Sequence, residues 1–237
     1  MPDFSLFTDA SSLFAKYQIP LSENQYRLLD AYTKLMISES KFQNITAVTD
    51  YQEIWIRHFL DSAYLLRFLP DSGCLIDIGT GAGIPAIPIV IFRPDLKVFM
   101  LDSEEHKVDF CRNVVSDLGL SAECICGRAE ELAKSASYRA SFDIATSRAM
   151  ANGSMLTELS VPFLKKGGKL FAMKGKNYDA SVERFAEAAE ALSSRIELPI
   201  HSYEIEGECK HLICVTKMSD TPDQYPRRFA KIKRNPL

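Results

Sequence analysis

The chain has 237 residues with 46% apolar side chains, which is enough for one large domain and argues against a second full domain. A quarter of the residues are charged and no stretch is dominated by Pro, Gly or Ser, so the composition excludes a disordered or low-complexity protein. The net charge of −3 speaks against a nucleic-acid partner, but five basic residues and no acid lie between Pro226 and Leu237. The sequence therefore predicts a basic tail on an acidic body.

The sequence shows no feature of a membrane-bound or secreted protein. The apolar run at 84–92 is interrupted by prolines and too short to cross a bilayer, and the first residues lack the pattern of a signal peptide. We therefore expect a cytoplasmic location and no membrane partner. The six cysteines are scattered, so reduced thiols are favoured over metal ligation, although His211 lies between Cys209 and Cys214.

The first seventy residues predict helices. Two amphipathic stripes are followed by a third helix, predicted from about Asp50 to Leu69, which Pro70 ends. Residues 1–70 therefore form a predicted helical extension that packs on a catalytic domain.

From Cys74 onward, short apolar runs alternate with helical segments, as is typical of a parallel sheet built from βαβ units. Five strands are predicted, at Leu75–Ile78, Val98–Leu101, Glu123–Cys126, Phe142–Thr146 and Lys169–Met173. Helices are predicted between them, near Pro85–Phe92, Glu104–Leu118, Ser154–Leu164 and, after the fifth strand, Asp179–Ser194. Two last strands, at 196–205 and 211–217, are too close in sequence for a crossover helix and must pair antiparallel.

A mostly parallel sheet that ends in an antiparallel hairpin is, by fold-level analogy, the arrangement of the class I S-adenosylmethionine-dependent methyltransferases. The prediction is thus a Rossmann-like α/β fold with a seven-stranded sheet over 71–218. The helical extension occupies 1–70 and the basic tail 219–237.

A glycine-rich loop runs from Asp77 to Pro85, between the first predicted strand and a helix. Its glycines, Gly79, Gly81 and Gly83, let the backbone turn tightly and pass close to a ligand. A nicotinamide fingerprint needs Gly or Ala where Ile84 stands, and prolines in the following turn leave few N–H donors for a pyrophosphate. A cofactor without phosphates, such as S-adenosylmethionine, therefore fits better.

Asp102 ends the second predicted strand, at the spacing from which a carboxylate accepts ribose hydroxyls. The alternative is that Asp102 only caps the next helix, and we favour ribose binding. Two weaker candidates follow the third and fourth strands. Taken alone, Glu130 fits a solvated acid in a first helical turn, and Arg148 fits a surface ion pair.

These residues resemble the bacterial RsmG (GidB) family of 16S ribosomal RNA guanine-N7 methyltransferases, from the second helix to the last residue. The resemblance is carried by Asn44–Thr46, Arg57–Ser62, the glycine loop through Pro88, Leu101–Ser103, Gly127–Glu130, Ser147–Ala149, Met173–Gly175, Pro226–Arg228 and Pro236–Leu237. The chain departs from the family at Ala86, where glycine is expected, and at Glu104–Glu105, where a more basic stretch is expected. The second departure weakens any RNA contact of that helix.

The resemblance implies methyl transfer from S-adenosylmethionine to N7 of guanine 527 in 16S rRNA, with free RNA or the small subunit as partner. Together with the loop, it predicts a cofactor site made of Asp77, Gly79, Gly81, Gly83, Ile84, Asp102, Ser103, Ala129, Glu130 and Arg148. Together with the basic tail, it predicts RNA contacts by Arg57, Lys174, Arg227, Arg228 and Lys231. No metal is expected, and the chain is expected to be a monomer.

The segment Thr146–Ala149 bears on the chemistry. It contains neither the Asn/Asp-Pro-Pro-aromatic loop that activates amines nor the Pro-Cys nucleophile of C5 pyrimidine methylation. The acceptor should therefore be nucleophilic at neutral pH, as guanine N7 is, and no general base is expected. Arg148 and His58 are assigned positioning roles, with a purely structural His58 bonded to backbone as an equal alternative.

Other functions stay open at this point. A methyltransferase of another RNA is one alternative, and a methyltransferase of a protein or a small molecule is disfavoured by the basic tail. An NAD-dependent dehydrogenase is disfavoured by Ile84, and a non-catalytic RNA-binding module by the complete glycine loop.

Overall fold

The computed structural model describes residues 3–237. Over these residues, one mixed sheet has the strand order β3-β2-β1-β4-β5-β8-β6, and β7 pairs with β8 off this path. The strands are β1 (Cys74–Ile78), β2 (Lys97–Asp102), β3 (Ala122–Cys126), β4 (Phe142–Arg148), β5 (Leu164–Lys174), β6 (Ser194–Ile196), β7 (His201–Ile205) and β8 (Glu208–Lys217).

The first five strands run parallel, so their carboxyl ends meet at one edge of the sheet. In the register, Asp77 of β1 lies opposite Met100 of β2 and Thr146 of β4. The chain moves outward from β1 to β3 and then returns to place β4 on the other side of β1. The order therefore reverses between β1 and β4, and this switch point is where open α/β sheets bind ligands.

The antiparallel end of the sheet confirms the predicted hairpin but corrects one strand. The segment predicted as a single strand at 196–205 is broken into β6 and β7, which pair with the edge of β8 that faces away from β5. Pro199 lies in the break and cannot donate a ladder hydrogen bond. Because β6 and β7 both lie next to β8 on the same side, they occupy one strand position, and the sheet has the seven strand positions that were predicted.

Eleven α-helical segments occur in the described chain. They are α1 (Phe7–Lys16), α2 (Glu23–Glu39), α3 (Tyr51–Ile54), α4 (Asp61–Tyr64), α5 (Ala86–Phe92), α6 (Glu105–Asp117), α7 (Ala129–Leu132), α8 (Gly153–Ser160), α9 (Ala180–Glu183), α10 (Phe185–Ala191) and α11 (Phe229–Arg234). None of the helices within residues 3–237 combines the length and apolar character needed to cross a bilayer.

The predicted third helix is continuous but its pitch is not uniform. A π-helical turn, Trp55–Leu60, joins α3 to α4, and a 3₁₀ turn, Leu65–Phe68, ends the segment. The wider turn shifts the side chains that follow it around the helix axis. As a result His58 and Asp61 are buried, whereas Arg57 is exposed.

The N-terminal helices and the sheet share a hydrophobic core. One cluster of buried residues includes Phe14 of α1, Tyr32 of α2, Ile87 of α5 and Met100 of β2. A second cluster on the opposite face of the sheet includes Leu156 of α8. Burial at about 25 cal/mol per Å² of apolar surface makes these contacts the main stabilisation of the fold. The helical extension is thus packed on the sheet, and the domain boundary near residue 70 stays a prediction.

Candidate active site

A cleft of about 440 Å³ lies at the carboxyl edge of the parallel strands. Each strand end contributes to its wall: the glycine loop after β1, Asp102 of β2, residues 127–130 after β3, and residues 148–151 from the end of β4. Pockets of this size at a switch point are the usual ligand sites of such sheets. Within residues 3–237, no three His, Cys, Asp or Glu side chains cluster as metal ligands would.

Two of the three loop glycines line this cleft. Gly79 has φ +70° and Gly81 has φ +57°, backbone conformations that side chains disfavour. A Cβ on Gly79 would lie 2.5 Å from Cγ of Met150, so the close approach also requires glycine. Gly83 does not line the cleft. A Cβ there would collide with Ile87 of α5, so this glycine serves helix packing.

Asp77 lies behind the loop and does not line the cleft. Its Oδ1 accepts a hydrogen bond from the Thr146 hydroxyl at 2.8 Å, while Oδ2 has no well-formed hydrogen bond. Burial raises the pKa of this carboxyl to about 7. Asp77 and Gly83 were predicted to contact the cofactor, and neither of them lines the cleft.

Asp102 joins the glycine loop to the start of α6. Its Oδ2 accepts from the Gly81 N–H at 2.9 Å, and its Oδ1 accepts from the Glu104 N–H at 3.0 Å. The carboxylate therefore does support the helix start, as one interpretation of the sequence held. It also lines the cleft together with Ser103, and each oxygen has a second lone pair for a ligand.

The β3 end of the cleft combines a buried acid, a guanidinium and an aromatic ring. Glu130 is buried beside Ala129, and its Oε1 accepts from Nε of Arg128 at 3.1 Å. The Arg128 guanidinium lies 4.1 Å from the centroid of the Phe229 ring, which comes from α11 and lines the cleft. Sequence reasoning missed Phe229, because it is an aromatic residue inside a basic tail and far from any cofactor motif.

The β4 end of the cleft holds Arg148 and His58 in direct contact. Nη2 of Arg148 donates to Nδ1 of His58 at 2.9 Å, so the proton of the neutral ring is on Nε2. Nε2 then donates to Oγ1 of Thr46 at 3.1 Å. Burial, reinforced by the charge of Arg148, lowers the pKa of His58 to about 3. His58 is therefore a neutral ring whose Nδ1 accepts a hydrogen bond from Arg148.

Arg148 also presents an unused donor. Its Nη1 is buried, makes no hydrogen bond with the described residues, and lies 3.7 Å from Oδ2 of Asp61. Oδ1 of Asp61 accepts from the Tyr203 hydroxyl at 2.9 Å. Asp61 was not predicted, although it follows His58 by one helical turn. Arg148 itself lines the cleft, whereas its Nη1 atom faces Asp61.

Next to the cleft lies a second depression of about 470 Å³, here called the basic groove. Its basic residues are Arg57, Lys174, Lys176 and Lys210, and its acids are Glu183 and Glu208. Lys174 connects groove and cleft, since its Nζ donates to the carbonyl of Ala151 at 2.8 Å and to Glu183 at 2.9 Å.

Two of these cations were predicted RNA contacts, and both are already paired with acids. Arg57 bonds Glu208 at 2.9 Å and Glu53 at 2.5 Å, and Lys174 bonds Glu183. Lys176 forms no ion pair with residues 3–237. The groove therefore carries one free cation and several paired ones.

The basic residues of the tail differ in their surroundings: one is bonded to a buried acid and others are exposed. Arg227 donates from Nε and Nη2 to the carboxylate of Glu158 at 2.8 and 2.5 Å, and its backbone N–H adds a third bond at 2.9 Å. Glu158 is 0% exposed. Because its guanidinium is held by this buried acid, we reassign Arg227 from RNA contact to anchor of the tail. Arg228 and Lys231 are exposed.

Solved structures with a similar chain path include methyltransferases. A candidate S-adenosyl-L-methionine-dependent methyltransferase of Methanococcus maripaludis matches with a TM-score of 0.55 and 18% identity, covering 81% of this chain and 95% of that one. A candidate methyltransferase of Bacillus halodurans matches with a TM-score of 0.51 and 16% identity, covering 67% of this chain and 99% of that one. At these identities the likeness shows the fold, and the predicted class I methyltransferase fold is confirmed.

Sequence comparisons identify the family. The model for GidB, described as rRNA small subunit methyltransferase G, matches residues 25–213. The ribosomal RNA small subunit methyltransferase G of Moorella thermoacetica is 39% identical over 223 residues, covering 92% of this chain and 93% of that protein. The protein of the same name from Clostridium beijerinckii is 41% identical over 224 residues with the same coverage. The chain therefore belongs to the GidB family of ribosomal RNA small subunit methyltransferases.

Proposed function

We propose that the protein transfers the methyl group of S-adenosylmethionine to N7 of a guanine in 16S rRNA, at position 527 as the family resemblance implies. The observation that carries the proposal is the cleft itself. In a chain of the GidB family, it brings the glycine loop, Asp102 and Arg148 to one edge of the sheet.

The polar groups of the cleft fit this cofactor. At the β2 end, Asp102 has lone pairs for the ribose hydroxyls, and at the β3 end the buried Glu130 can accept from the adenine amino group. Gly79 and Gly81 keep side chains out of the space between. At the β4 end, the Arg148 side chain lines the cleft and can meet a carboxylate or phosphate. When bound, S-adenosylmethionine supplies an electrophilic methyl group on a positively charged sulfur.

No proton has to leave the acceptor in this reaction. The lone pair of guanine N7 forms the new bond to the methyl carbon as the carbon–sulfur bond breaks and its electron pair stays on sulfur. His58 is a poor base at a pKa of about 3, and both of its ring nitrogens already make hydrogen bonds. We assign it to holding Arg148 in place. Alignment of the reactants can supply ~7–11 kcal/mol of the barrier reduction.

The positive surfaces flank the cleft on two sides. The basic groove lies towards β5 and β8, where Lys174 and Lys210 are, and the tail reaches the β3 end through Phe229 and Arg128. An RNA strand that contacts both would cross the mouth of the cleft. A guanine would then have to be turned out of its stack to bring N7 to the cleft. We propose a cytoplasmic location, where small subunits are available.

Methyl transfer to ribosomal particles tests the proposal. Small subunits and free 16S rRNA from a strain lacking this methylation are incubated with the protein and methyl-labelled S-adenosylmethionine, and the labelled base is mapped by cleavage specific for N7-methylguanine. We expect label at one guanine, at 527. Label at another atom, or none in rRNA from a protein that binds the cofactor, would indicate a different acceptor. Failure to bind S-adenosylhomocysteine in calorimetry would favour an RNA-binding module without catalysis.

A further inference from the structure

The C-terminal tail supplies part of the cleft wall. Phe229, the first residue of α11, lines the cleft, and its ring is covered on one side by the Arg128 guanidinium at 4.1 Å. Arg128 is in turn bonded to the buried Glu130. The ring is therefore held at the β3 end, where we place the adenine of the cofactor. Aromatic faces beside a guanidinium are surfaces on which planar bases stack.

The tail is anchored to the fold on both sides of Phe229. Arg227, two residues before Phe229, donates three hydrogen bonds to the fully buried Glu158 of α8. Three residues after Phe229, Ile232 is fully buried. Leu237 packs against the core cluster on that face of the sheet. The contact with the cleft is thus part of the folded structure.

The outward side of the same segment is strongly positive. Arg228, Lys231, Lys233 and Arg234 are exposed, and none of them forms an ion pair within residues 3–237. One short helix therefore joins an aromatic wall of the cleft to a cluster of free cations. Clusters of this kind are the usual contacts to a phosphate backbone.

We propose that the tail is shared by both ligands: Phe229 contacts the adenine of the cofactor while the neighbouring cations contact RNA, so that each ligand strengthens binding of the other. This inference rests on the proposed function and concerns how binding of the two ligands to the same site is coupled. Its physical reason is linkage. Arg227 and Ile232 anchor the segment, but Phe229 is only partly buried and the cations are exposed, so a cofactor that restrains the ring also restrains the neighbouring cations. The coupling must be equal in both directions. A ring that only packs on Arg128 would produce no such coupling.

Calorimetry with S-adenosylhomocysteine, without RNA, tests the contact. We expect Phe229→Leu, which keeps an apolar side chain, to bind about tenfold more weakly, and Phe229→Trp to stay within about threefold of the original. The matched control is Ala230→Ser on the exposed side of α11, which should bind unchanged. Affinity of the Phe229→Leu variant equal to that of the original chain would overturn the inference. If the original chain itself does not bind S-adenosylhomocysteine, the proposed function fails instead.

The coupling is measured with an unmethylated 16S rRNA transcript at fixed salt. We expect saturating S-adenosylhomocysteine to tighten RNA binding by the original chain about fivefold, a typical coupling, and to have no effect on the Phe229→Leu variant. Equal RNA affinity with and without the cofactor product in the original chain would overturn the inference.

A measurement without any substitution guards against a variant that does not fold. Trypsin cleaves after Lys231, Lys233 and Arg234, and we expect S-adenosylhomocysteine to slow cleavage there severalfold in the original chain. Cleavage at an unchanged rate, under conditions where calorimetry shows saturation, would also overturn the inference.

Discussion

Two carboxylates hold the glycine loop from different sides, and their surroundings assign them different tasks. Asp102 faces the cleft and bonds the Gly81 N–H, whereas Asp77 lies fully behind the loop and bonds Thr146. A carboxylate at the cleft wall can exchange part of its hydration for ligand hydroxyls, whereas a buried one cannot reach a ligand.

Replacement of Asp102 by Ala should weaken binding of S-adenosylhomocysteine by about 10- to 100-fold, because hydrogen bonds to a charged acceptor are worth ~1.5–3 kcal/mol. Stability should also fall, since the Gly81 and Glu104 N–H groups lose their acceptor. Calorimetry and a thermal melt measure the two effects. The control is Asp117→Ala, exposed at the other end of α6. A lower Tm with unchanged affinity would show that Asp102 only supports the fold.

Asp77 should make the free energy of unfolding depend on pH. Its folded pKa of about 7 lies above the ordinary value of 3.8, so between about pH 4 and 7 the unfolded chain loses this proton while the folded chain keeps it. Folding stability should therefore fall as pH rises through this window, by up to ~1.4 kcal/mol per pH unit from this group, and level off above it.

The Asp77→Asn variant should lack this contribution, because an amide oxygen can still accept from Thr146 but does not titrate. Denaturant unfolding from pH 4.5 to 8 compares it with the original chain, and Asp71→Asn, at an exposed site, is the control. If the free energy of unfolding changes with pH in the same way in Asp77→Asn and in the original chain, Asp77 does not have the raised pKa.

The contact between His58 and Arg148 predicts unequal effects of two substitutions on the single-turnover methylation rate. The Gln side chain of His58→Gln can still accept a hydrogen bond from Arg148, so we expect the methylation rate to fall by less than about tenfold. The Lys side chain of Arg148→Lys cannot make the same paired contacts, so we expect the rate to fall by about 100-fold. The rate should show no basic limb between about pH 6 and 8.5. A large loss confined to His58→Gln, with rescue by imidazole, would indicate a general base.

At the scale of the element, the sequence predicted the parallel strands and the hairpin because hydrophobic period and segment length are local properties. It did not predict the break between β6 and β7, since the apolar pattern continues on both sides of Pro199. Nor could it place His58 against Arg148 or Phe229 against Arg128. These pairs are about 90 to 100 residues apart, and spacing along the chain does not specify which side chains meet.

The anchor of the tail is a second property of elements, since it joins α8 to the segment before α11. Removing Arg227 leaves the buried Glu158 without its partner, and breaking a buried ion pair in this way costs ~3–5 kcal/mol. We expect Arg227→Ala to lower stability towards the lower end of that range, because the Arg227 side chain keeps 12% exposure.

Denaturant unfolding measures this loss, with the adjacent and exposed Arg228→Ala as control, which should change stability by less than about 0.5 kcal/mol. In a double-mutant cycle, Glu158→Gln should remove much of the cost of the Arg227 change. Equal effects of the substitutions at 227 and 228 would show that the pair does not anchor the tail.

At the scale of the whole molecule, the positive charges are concentrated beside the cleft although the net charge of the chain is negative. The chain has a net charge of −3, yet the exposed cations of α11 and the basic groove lie on either side of the cleft. Such a distribution directs a polyanion to one region while the acidic remainder repels it elsewhere. The arrangement should therefore be visible in the salt dependence of RNA binding.

Replacing Arg228, Lys231 and Lys233 by Ala should reduce the slope of log affinity against log salt by roughly one unit per lost phosphate contact. The slope is measured by RNA binding between low and physiological salt. The control is Lys97→Ala at the start of β2, which lies at the amino ends of the parallel strands and away from the cleft. This substitution should leave the slope unchanged. An unchanged slope in the triple variant would show that these tail cations are only a solvated surface.

The π-helical turn at Trp55–Leu60 has a consequence for how this region tolerates change in length. A π turn is equivalent to one residue inserted into an α-helix, and one residue corresponds to about 100° of rotation. Deleting a single residue from this turn would restore uniform pitch at little local cost. It would also swing Asp61 away from Arg148 or move His58 out of reach of Thr46. Related chains should therefore accept gaps before Asp50 far more readily than within this turn.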